Sequence, residues 1–257
     1  MDIKESISKS TETQVKRPTL KPFELLKKSL TKGSYKDRFI DILGEKKGIA
    51  MCQNIILTAY SSAELQKVDP LSIIYSSLCA AVTDLSLDKS CGQSAIIPYK
   101  GQCQFQIMKN GYIELALRSN LLQTINETRI YEGEIEVNKF TGDVTFLKQL
   151  NDGVYAGNLA FIRYKTGFEK FKYMSKEGII EHAKKYSQSF RAKKGLWIDD
   201  FNVMAKKTVL KLLLKEFAAK ADMRDAVSPL ELGLKYDQCT PINEELTQVE
   251  YLDNILV

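Results

Sequence analysis

The hydrophobic pattern of this 257-residue chain changes its period twice, and that change most constrains the fold. Before Gly92, apolar residues recur at helical spacing, as in Ile73, Ile74 and Leu78. Beyond Gly92 they alternate with polar residues as in β-strands, and after Ser175 the helical spacing returns. Helices on either side of a block of hairpin-connected strands indicate the α+β class. We therefore predict a central antiparallel sheet with hairpins, flanked by N-terminal helices and a long C-terminal helix.

Start and stop signals locate the N-terminal helices. Gly33 and Gly44 separate short helices that begin near Pro22, and a longer helix is predicted over residues 49–65. Asp69 is placed to cap the next helix, with Pro70 in its first turn, and this helix is predicted to end near residue 85.

The strand-rich block contains two clear hairpins. The first pairs residues 93–99 with 102–108 through the turn Lys100-Gly101, and the second pairs 154–164 with 168–174. In the first hairpin, glutamines alternate with apolar residues, which places the two kinds on opposite faces. Other predicted elements are a helix at 111–119, strands at 124–131, 134–137 and 144–147, a helix from Ser175 to about Tyr186, a basic loop at 187–195 and a helix over 197–220.

Charge is distributed unevenly along the chain. Residues 163–215 contain fourteen Lys/Arg and five Asp/Glu, a net charge of +9. Residues 222–257 contain two Lys/Arg and eight Asp/Glu, a net charge of −6. This asymmetry favours a body that binds polyanions, although a solvated charged face is an equal alternative. We divide the chain into a disordered N-terminal arm (1–18), a body for binding and oligomerisation (19–221) and an acidic C-terminal tail (222–257). The tail carboxylates of Glu244, Glu245, Glu250 and Asp253 could compete with a polyanionic ligand or dock a partner.

Several classes of protein lack their usual signals here. The sequence contains no phosphate-binding G-x-x-x-x-G-K-[ST] loop, no G-x-G-x-x-G fingerprint and no apolar run long enough to span a membrane. One histidine and five cysteines without C-x-x-C spacing predict neither a zinc site nor histidine chemistry. Asp199 and Asp200 are interpreted as a helix start rather than a metal site. We expect a cytoplasmic protein without cofactor or metal that is not an enzyme.

The first candidate site is the hairpin and helix over residues 97–119. Cations can neutralise phosphates, and tyrosine rings can stack on unpaired bases of any sequence. The candidate nucleic-acid contacts are Tyr99, Lys100, Gln102, Gln104, Lys109, Tyr112 and Arg118. An ordinary hairpin with solvent-facing amides is an equal alternative.

The second candidate site combines the C-terminal helix with the basic loop before it. Lys207, Lys211 and Lys215 lie four residues apart beside an apolar arc, so they repel one another and an anionic ligand would relieve the repulsion. In the loop, basic residues beside an aromatic ring suit a single-strand groove, although Trp197 could equally close the core. The candidate contacts are Arg191, Lys193, Lys194, Trp197, Lys206, Lys207 and Lys211.

Three stretches together resemble the RecT family of phage and prophage single-strand annealing proteins, distant relatives of phage lambda Red-beta. They are TDLSLDKSCGQSAIIPYKG, its continuation through QFQ to GYIELALRS, and the W-x-x-x-F-x-x-MAKKTVL pattern. The resemblance covers roughly residues 22–217. It places Lys100 at the family's PYKG turn, Arg118 at its ALR helix, and Lys206 with Lys207 in its MAKKT helix.

The resemblance implies ATP-independent annealing of complementary DNA strands during phage-type recombination. It also implies assembly into rings or helical filaments, with DNA in a positively charged groove along successive subunits. The implied partners are single-stranded DNA and the annealed duplex, a 5′-3′ exonuclease, and the host single-strand-binding protein. The family is generally longer at its C-terminus, where partner contacts lie.

Two other functions remain open from the sequence. One is a protective single-stranded DNA-binding protein that does not promote annealing. The other is a nuclease that uses Asp199 and Asp200. An annealing assay separates the first from the RecT-like function, and cleavage of labelled strands with magnesium would reveal the second.

Overall fold

A computed structural model describes residues 22–217 and 227–251 and confirms the predicted α+β class, with antiparallel strands between two groups of helices. The predicted arm at residues 1–18 lies outside the described residues. The N-terminal elements are α1 (Pro22–Lys32), α2 (Ser34–Leu43), α3 (Glu45–Tyr60), a 3-10 turn (Leu65–Lys67) and α4 (Pro70–Val82). The central elements are β1 (Ser94–Tyr99), β2 (Gln102–Ile107), α5 (Lys109–Leu117), β3 (Leu122–Tyr131), β4 (Ile135–Val137), β5 (Val144–Phe146), β6 (Tyr155–Tyr164) and β7 (Glu169–Ser175). The C-terminal elements are α6 (Lys176–Tyr186), α7 (Gln188–Arg191), α8 (Leu196–Asp199), α9 (Phe201–Phe217), α10 (Pro229–Tyr236), β8 (Thr240–Pro241) and β9 (Val249–Glu250).

Helix α4 begins at the predicted cap, and Arg118 binds the backbone carbonyl groups just after its last residue. The Asp69 carboxylate accepts the backbone N–H of Leu71 at 3.1 Å, and Pro70 occupies the first helical position. At the other end, the Arg118 guanidinium donates to the carbonyl oxygens of Thr83 and Asp84, each at 2.7 Å. These carbonyls lie beyond the last helical turn and lack helical partners, so Arg118 fixes α5 against the end of α4.

Strands β1 and β2 form the predicted first hairpin and pack on α4. Lys100 and Gly101 both have positive φ, 50° and 81°, which suits a two-residue turn that matches the twist of the strands. On β2, the side chains of Cys103, Phe105 and Ile107 are fully buried, whereas the intervening glutamines are exposed or half-buried. The predicted alternation of the two faces is therefore confirmed.

A three-stranded antiparallel sheet in the order β3-β6-β7 lies on α9. In the register of β6 with β7, Ala160 pairs with Lys172 and Phe161 pairs with Phe171. Because side chains alternate between faces, Ala160 and Ile162 point into the core, and Phe161 points to the opposite face. The strands thus form several small sheets rather than one, since β1-β2, β4-β5 and β8-β9 pair separately.

The predicted long C-terminal helix is divided at Asp200. Helix α8 ends at Asp199, and Asp200 adopts φ −147° and ψ 80°, outside the helical region. Its carboxylate accepts the backbone N–H of Val203 at 3.1 Å, which caps α9. The interpretation of this aspartate as a helix start is confirmed, although the helix begins four residues later than predicted. The predicted end at Lys220 lies outside the described residues.

The described C-terminal residues pack against the body. Helix α10 begins with a Ser228 cap and buries Leu230. After it, Gln238 N–H donates to Phe105 O at 2.9 Å, and Phe105 N–H donates to Cys239 O at 3.0 Å. These bonds extend the β2 backbone pairing. Residues 227–251 therefore complete the core around β2.

Candidate nucleic-acid interface

The tip of the first hairpin lies against the basic loop, which joins two segments that the sequence analysis treated separately. The Tyr99 hydroxyl donates to the side-chain oxygen of Gln188 in α7. The Lys100 amine lies 5.1 Å from the centre of the Tyr99 ring. The side chains of Lys100, Lys193 and Lys194 are exposed. We call Lys100, Arg191, Lys193 and Lys194 the basic surface.

Hydrogen bonds fix the backbone of the basic loop and the side chain of Arg191. Ser187 caps α7 by accepting the N–H of Phe190 at 3.2 Å, and Lys194 N–H donates to Ser189 O at 3.0 Å. The Arg191 guanidinium donates to Lys184 O at 3.1 Å and to Lys185 O at 2.8 Å, which fixes it at the C-terminal end of α6. The loop is therefore ordered by its own backbone and presents its cations to solvent.

Trp197 closes the core beneath this loop. Its side chain is only 5% exposed, and its ring centre lies 5.7 Å from that of Phe190 and 5.8 Å from that of Phe201. A ring packed in this way is not available to stack on a base. The structure thus supports the second interpretation of Trp197, and we correct its assignment as a DNA contact.

Lys207 and Lys211 form a buried charge cluster with Asp237. The Lys211 ammonium lies 2.5 Å from the Asp237 carboxylate, and Lys207 is only 7% exposed. Burial lowers the pKa of Lys207 to about 8, against the opposing attraction of Asp237. Burial disfavours ionisation of Asp237, but the positive charges of Lys211 and Lys207 outweigh it and lower the pKa of this carboxyl. The anion predicted to relieve the lysine repulsion is therefore supplied by the protein itself.

Tyr112 belongs to the same cluster. Its side chain is fully buried, and its hydroxyl donates to the Asp237 carboxylate. Burial, together with the nearby Asp237 charge, raises the pKa of Tyr112 well above its usual range. We therefore correct the placement of Tyr112 and Lys207 on a DNA-binding surface, because both side chains are buried; the half-buried Lys211 pairs with Asp237.

Several remaining candidates have structural partners of their own. Lys109 pairs with Glu127 at 2.9 Å, and Arg118 binds the end of α4 and also Glu114 at 3.1 Å. Gln104 donates to Gln238 O at 2.8 Å. Gln102 is exposed on the hairpin, and Lys206 is half-buried on α9. The candidate cations that are exposed rather than half-buried or buried are Lys100, Arg191, Lys193 and Lys194, at the hairpin tip and in the basic loop.

Two residues that complete these arrangements were not identified from the sequence. Gln188 links the hairpin to the loop, but a glutamine in a polar loop carries no distinguishing signal. Asp237 was assigned to a tail, although the unrelieved lysine stripe of α9 indicated that an anion was missing.

The described residues contain no group that suggests metal chemistry or membrane insertion. Within 22–217 and 227–251, no three His, Cys, Asp or Glu side chains come together to hold a metal ion. Across the same ranges, no helix combines the length and apolar character needed to cross a membrane. The cysteines are free thiols; Cys91 is exposed, and Cys52, Cys79, Cys103 and Cys239 are buried.

An α+β body that presents an ordered cluster of cations on a hairpin tip and an adjacent loop defines a protein suited to bind a polyanion. The comparison with known proteins identifies the protein family. The model of the RecT family matches residues 50–239, and the chain belongs to this family. It is also 37% identical over 207 residues to the uncharacterized protein YqaK of Bacillus subtilis (strain 168), covering 79% of this chain and 70% of that protein. Membership implies a single-strand annealing protein of DNA recombination, in a family that is generally not catalytic.

Proposed function

We propose that this protein binds single-stranded DNA through the basic surface and anneals complementary strands without ATP. The observation that carries the proposal is the contact between Tyr99 and Gln188, because it brings the hairpin tip that bears Lys100 to the loop that bears the other exposed cations. Family membership supplies the identity of the polyanion. A patch of exposed cations with a neighbouring tyrosine suits a phosphate backbone whose bases are unpaired.

The mechanism needs no covalent step. Each subunit binds few nucleotides, so successive subunits of a ring or filament hold one strand along a continuous track. Phosphate neutralisation lowers the repulsion between two strands, and base pairing then selects the register. We also propose that the protein acts in the bacterial cytoplasm beside a 5′-3′ exonuclease, and that the host single-strand-binding protein is a further partner.

The test removes two cations from the basic surface. In the Lys193→Ala, Lys194→Ala variant we expect weaker binding of single strands of any sequence and slower annealing of labelled complementary oligonucleotides. The slope of log affinity against log salt should become shallower by about 1 to 2, one for each lost phosphate contact. Fluorescence anisotropy and a quenching assay without nucleotide measure the two effects.

A matched control removes the same charge elsewhere. Lys27 and Lys28 are exposed on α1, so Lys27→Ala with Lys28→Ala should leave the salt slope unchanged. Equal losses in the two double variants would contradict a localised basic surface. If saturating wild-type protein slows pairing instead of accelerating it, the protein is a protective single-strand binder.

A further inference from the structure

An apolar groove lies on the face of the β3-β6-β7 sheet that points away from α9. Its floor is formed by Phe161 and Phe171, whose ring centres are 4.8 Å apart across the strand pair, and Phe146 contacts Phe171 at 5.9 Å. Leu159 also lines the groove, and the groove has a volume of about 220 Å³. That volume is below the roughly 300 to 1,000 Å³ of small-molecule sites, so it suits one or two side chains.

Two opposite charges border this groove. The Arg163 guanidinium lies 5.5 Å from the Phe161 ring and pairs with Glu169 at 2.6 Å. The β4-β5 hairpin and its flanks beside the groove (residues 132–152) carry two lysines against five acidic residues, a net charge of −3. Over residues 122–175, which include the three strands of the sheet, seven basic and seven acidic residues balance, so the groove lacks the excess of cations that would attract nucleic acid.

The tip of the β4-β5 hairpin has the complementary character. Phe140 is 95% exposed there, which is unusual for a large apolar side chain held in an ordered turn. The Asn138 side-chain oxygen accepts the N–H of Phe140 at 2.9 Å, and Gly142 N–H donates to Asn138 O at 2.8 Å. These hydrogen bonds therefore fix the conformation of the turn before it contacts another molecule. Lys139 and Asp143 flank the ring, opposite in sign to Glu169 and Arg163 at the groove.

We propose that the Phe140 tip of one subunit inserts into the Phe161–Phe171 groove of the next copy of this chain. An aromatic anchor in an apolar pocket, with oppositely charged residues at the rim, is the usual composition of an energetically dominant contact. Tip and groove are different surfaces, so the contact is head-to-tail and generates a ring or an open filament rather than a closed dimer. This inference deepens the proposed function and rests on its assembly of successive subunits.

The first experiment breaks each half of the contact separately. In mass photometry, full-length Phe140→Asp and Phe171→Asp proteins should each show at least a tenfold smaller population of all species larger than a monomer. An equimolar mixture should form dimers only, because one intact tip then meets one intact groove. Phe140→Leu, which keeps an apolar anchor, should assemble as wild type. Variants that assemble normally would overturn the proposal.

A second experiment does not depend on a charged substitution in the groove. Thr141→Cys, an exposed position beside Phe140, in one preparation and Thr128→Cys in another, each with the exposed Cys91 changed to Ser, should form a disulfide-linked heterodimer on mixing and oxidation. Neither preparation alone should form a disulfide-linked dimer. If no such link forms, or if groove variants weaken binding of short oligonucleotides with assembly intact, the groove is not a subunit contact.

The outcomes also separate this contact from the proposed function. A wild-type chain that stays monomeric on DNA yet accelerates annealing overturns the contact and leaves the annealing proposal in place. A tip–groove cross-link in a protein that does not anneal strands overturns the proposed function alone.

Discussion

The Asp237 carboxylate connects three parts of the core through its two oxygen atoms. One oxygen accepts the Ile107 N–H at 2.8 Å at the end of β2, and the other binds Tyr112 of α5 and Lys211 of α9. An ion pair of this kind is costly to desolvate but strongly destabilising to break, because a single partner would remain buried and unpaired. Asp237 thus fixes the last segment of the chain to the body.

The pH dependence of stability reports the burial of Lys207. Its pKa is about 8 in the folded chain against an ordinary 10.5, so between these values the unfolded chain binds more protons. The stability of the wild type should therefore rise relative to Lys207→Met over this window, by up to about 1.4 kcal/mol per pH unit. Urea denaturation from pH 7 to 10.5 measures the difference.

The exposed Lys89 provides the control for this comparison, because its replacement by Met should leave the pH profile parallel to that of the wild type. Parallel curves for wild type and Lys207→Met would show that the ammonium of Lys207 is solvated.

At the level of single residues, the sequence could identify the candidate cations but not their surroundings. Lys193 and Lys207 have the same side chain and lie in similarly basic stretches, yet the first is exposed and the second is buried. The difference depends on Asp237, which is distant in sequence. Helical periodicity therefore could not show that Lys207 is buried and that Lys211 pairs with Asp237.

At the level of elements, local signals predicted most of the fold. The Asp69-Pro70 start, the Lys100-Gly101 turn and the Ser175 cap each lie where the structure has them, because each depends on a few neighbouring residues. Asp200 was interpreted as a helix start, but the separate helix α8 before it was not predicted, since the apolar pattern continues through this aspartate. The contact between the first hairpin and α7 joins residues 89 positions apart, beyond the reach of any local pattern.

This contact between elements yields a prediction about DNA binding. Gln188→Ala removes the acceptor of the Tyr99 hydroxyl without changing charge, so the hairpin tip should separate from the basic loop. We expect single-strand affinity to fall several-fold while the salt slope stays that of the wild type, because the number of cations is unchanged. Anisotropy titrations at several salt concentrations measure both quantities.

Gln53→Ala on the exposed side of α3 is the matched control and should bind as the wild type does. A shallower salt slope in Gln188→Ala would mean that the substitution displaces cations rather than loosening the contact between the two elements.

For the whole molecule, the decisive feature is that the acidic segment is part of the fold over its described residues. From the sequence, the segment was predicted to be an acidic tail that competes with a polyanionic ligand or docks a partner, because charge counts report composition and not packing. Residues 227–251 instead bury Leu230, Cys239 and Leu246, and Arg38 of α2 donates to Glu244 O at 2.7 Å. The carboxylates of Glu245 and Glu250 remain exposed.

Truncation distinguishes a structural role of this segment from competition with DNA, because the two roles predict opposite changes in DNA affinity. Removal of residues 239–257 deletes the buried side chains of Cys239, Thr240 and Leu246 and the hydrogen bond from Phe105 N–H to Cys239 O. The loss of one buried leucine alone costs about 2 to 5 kcal/mol, so we expect a much lower melting temperature and weaker DNA binding. The double variant Glu245→Gln, Glu250→Gln keeps the packing, so its melting temperature should equal that of the wild type. Its single-strand affinity at low salt should change by about twofold or less, because the two surface charges make only weak, long-range interactions with DNA. A truncated chain that melts normally and binds DNA more tightly would instead show that the segment is a displaceable competitor.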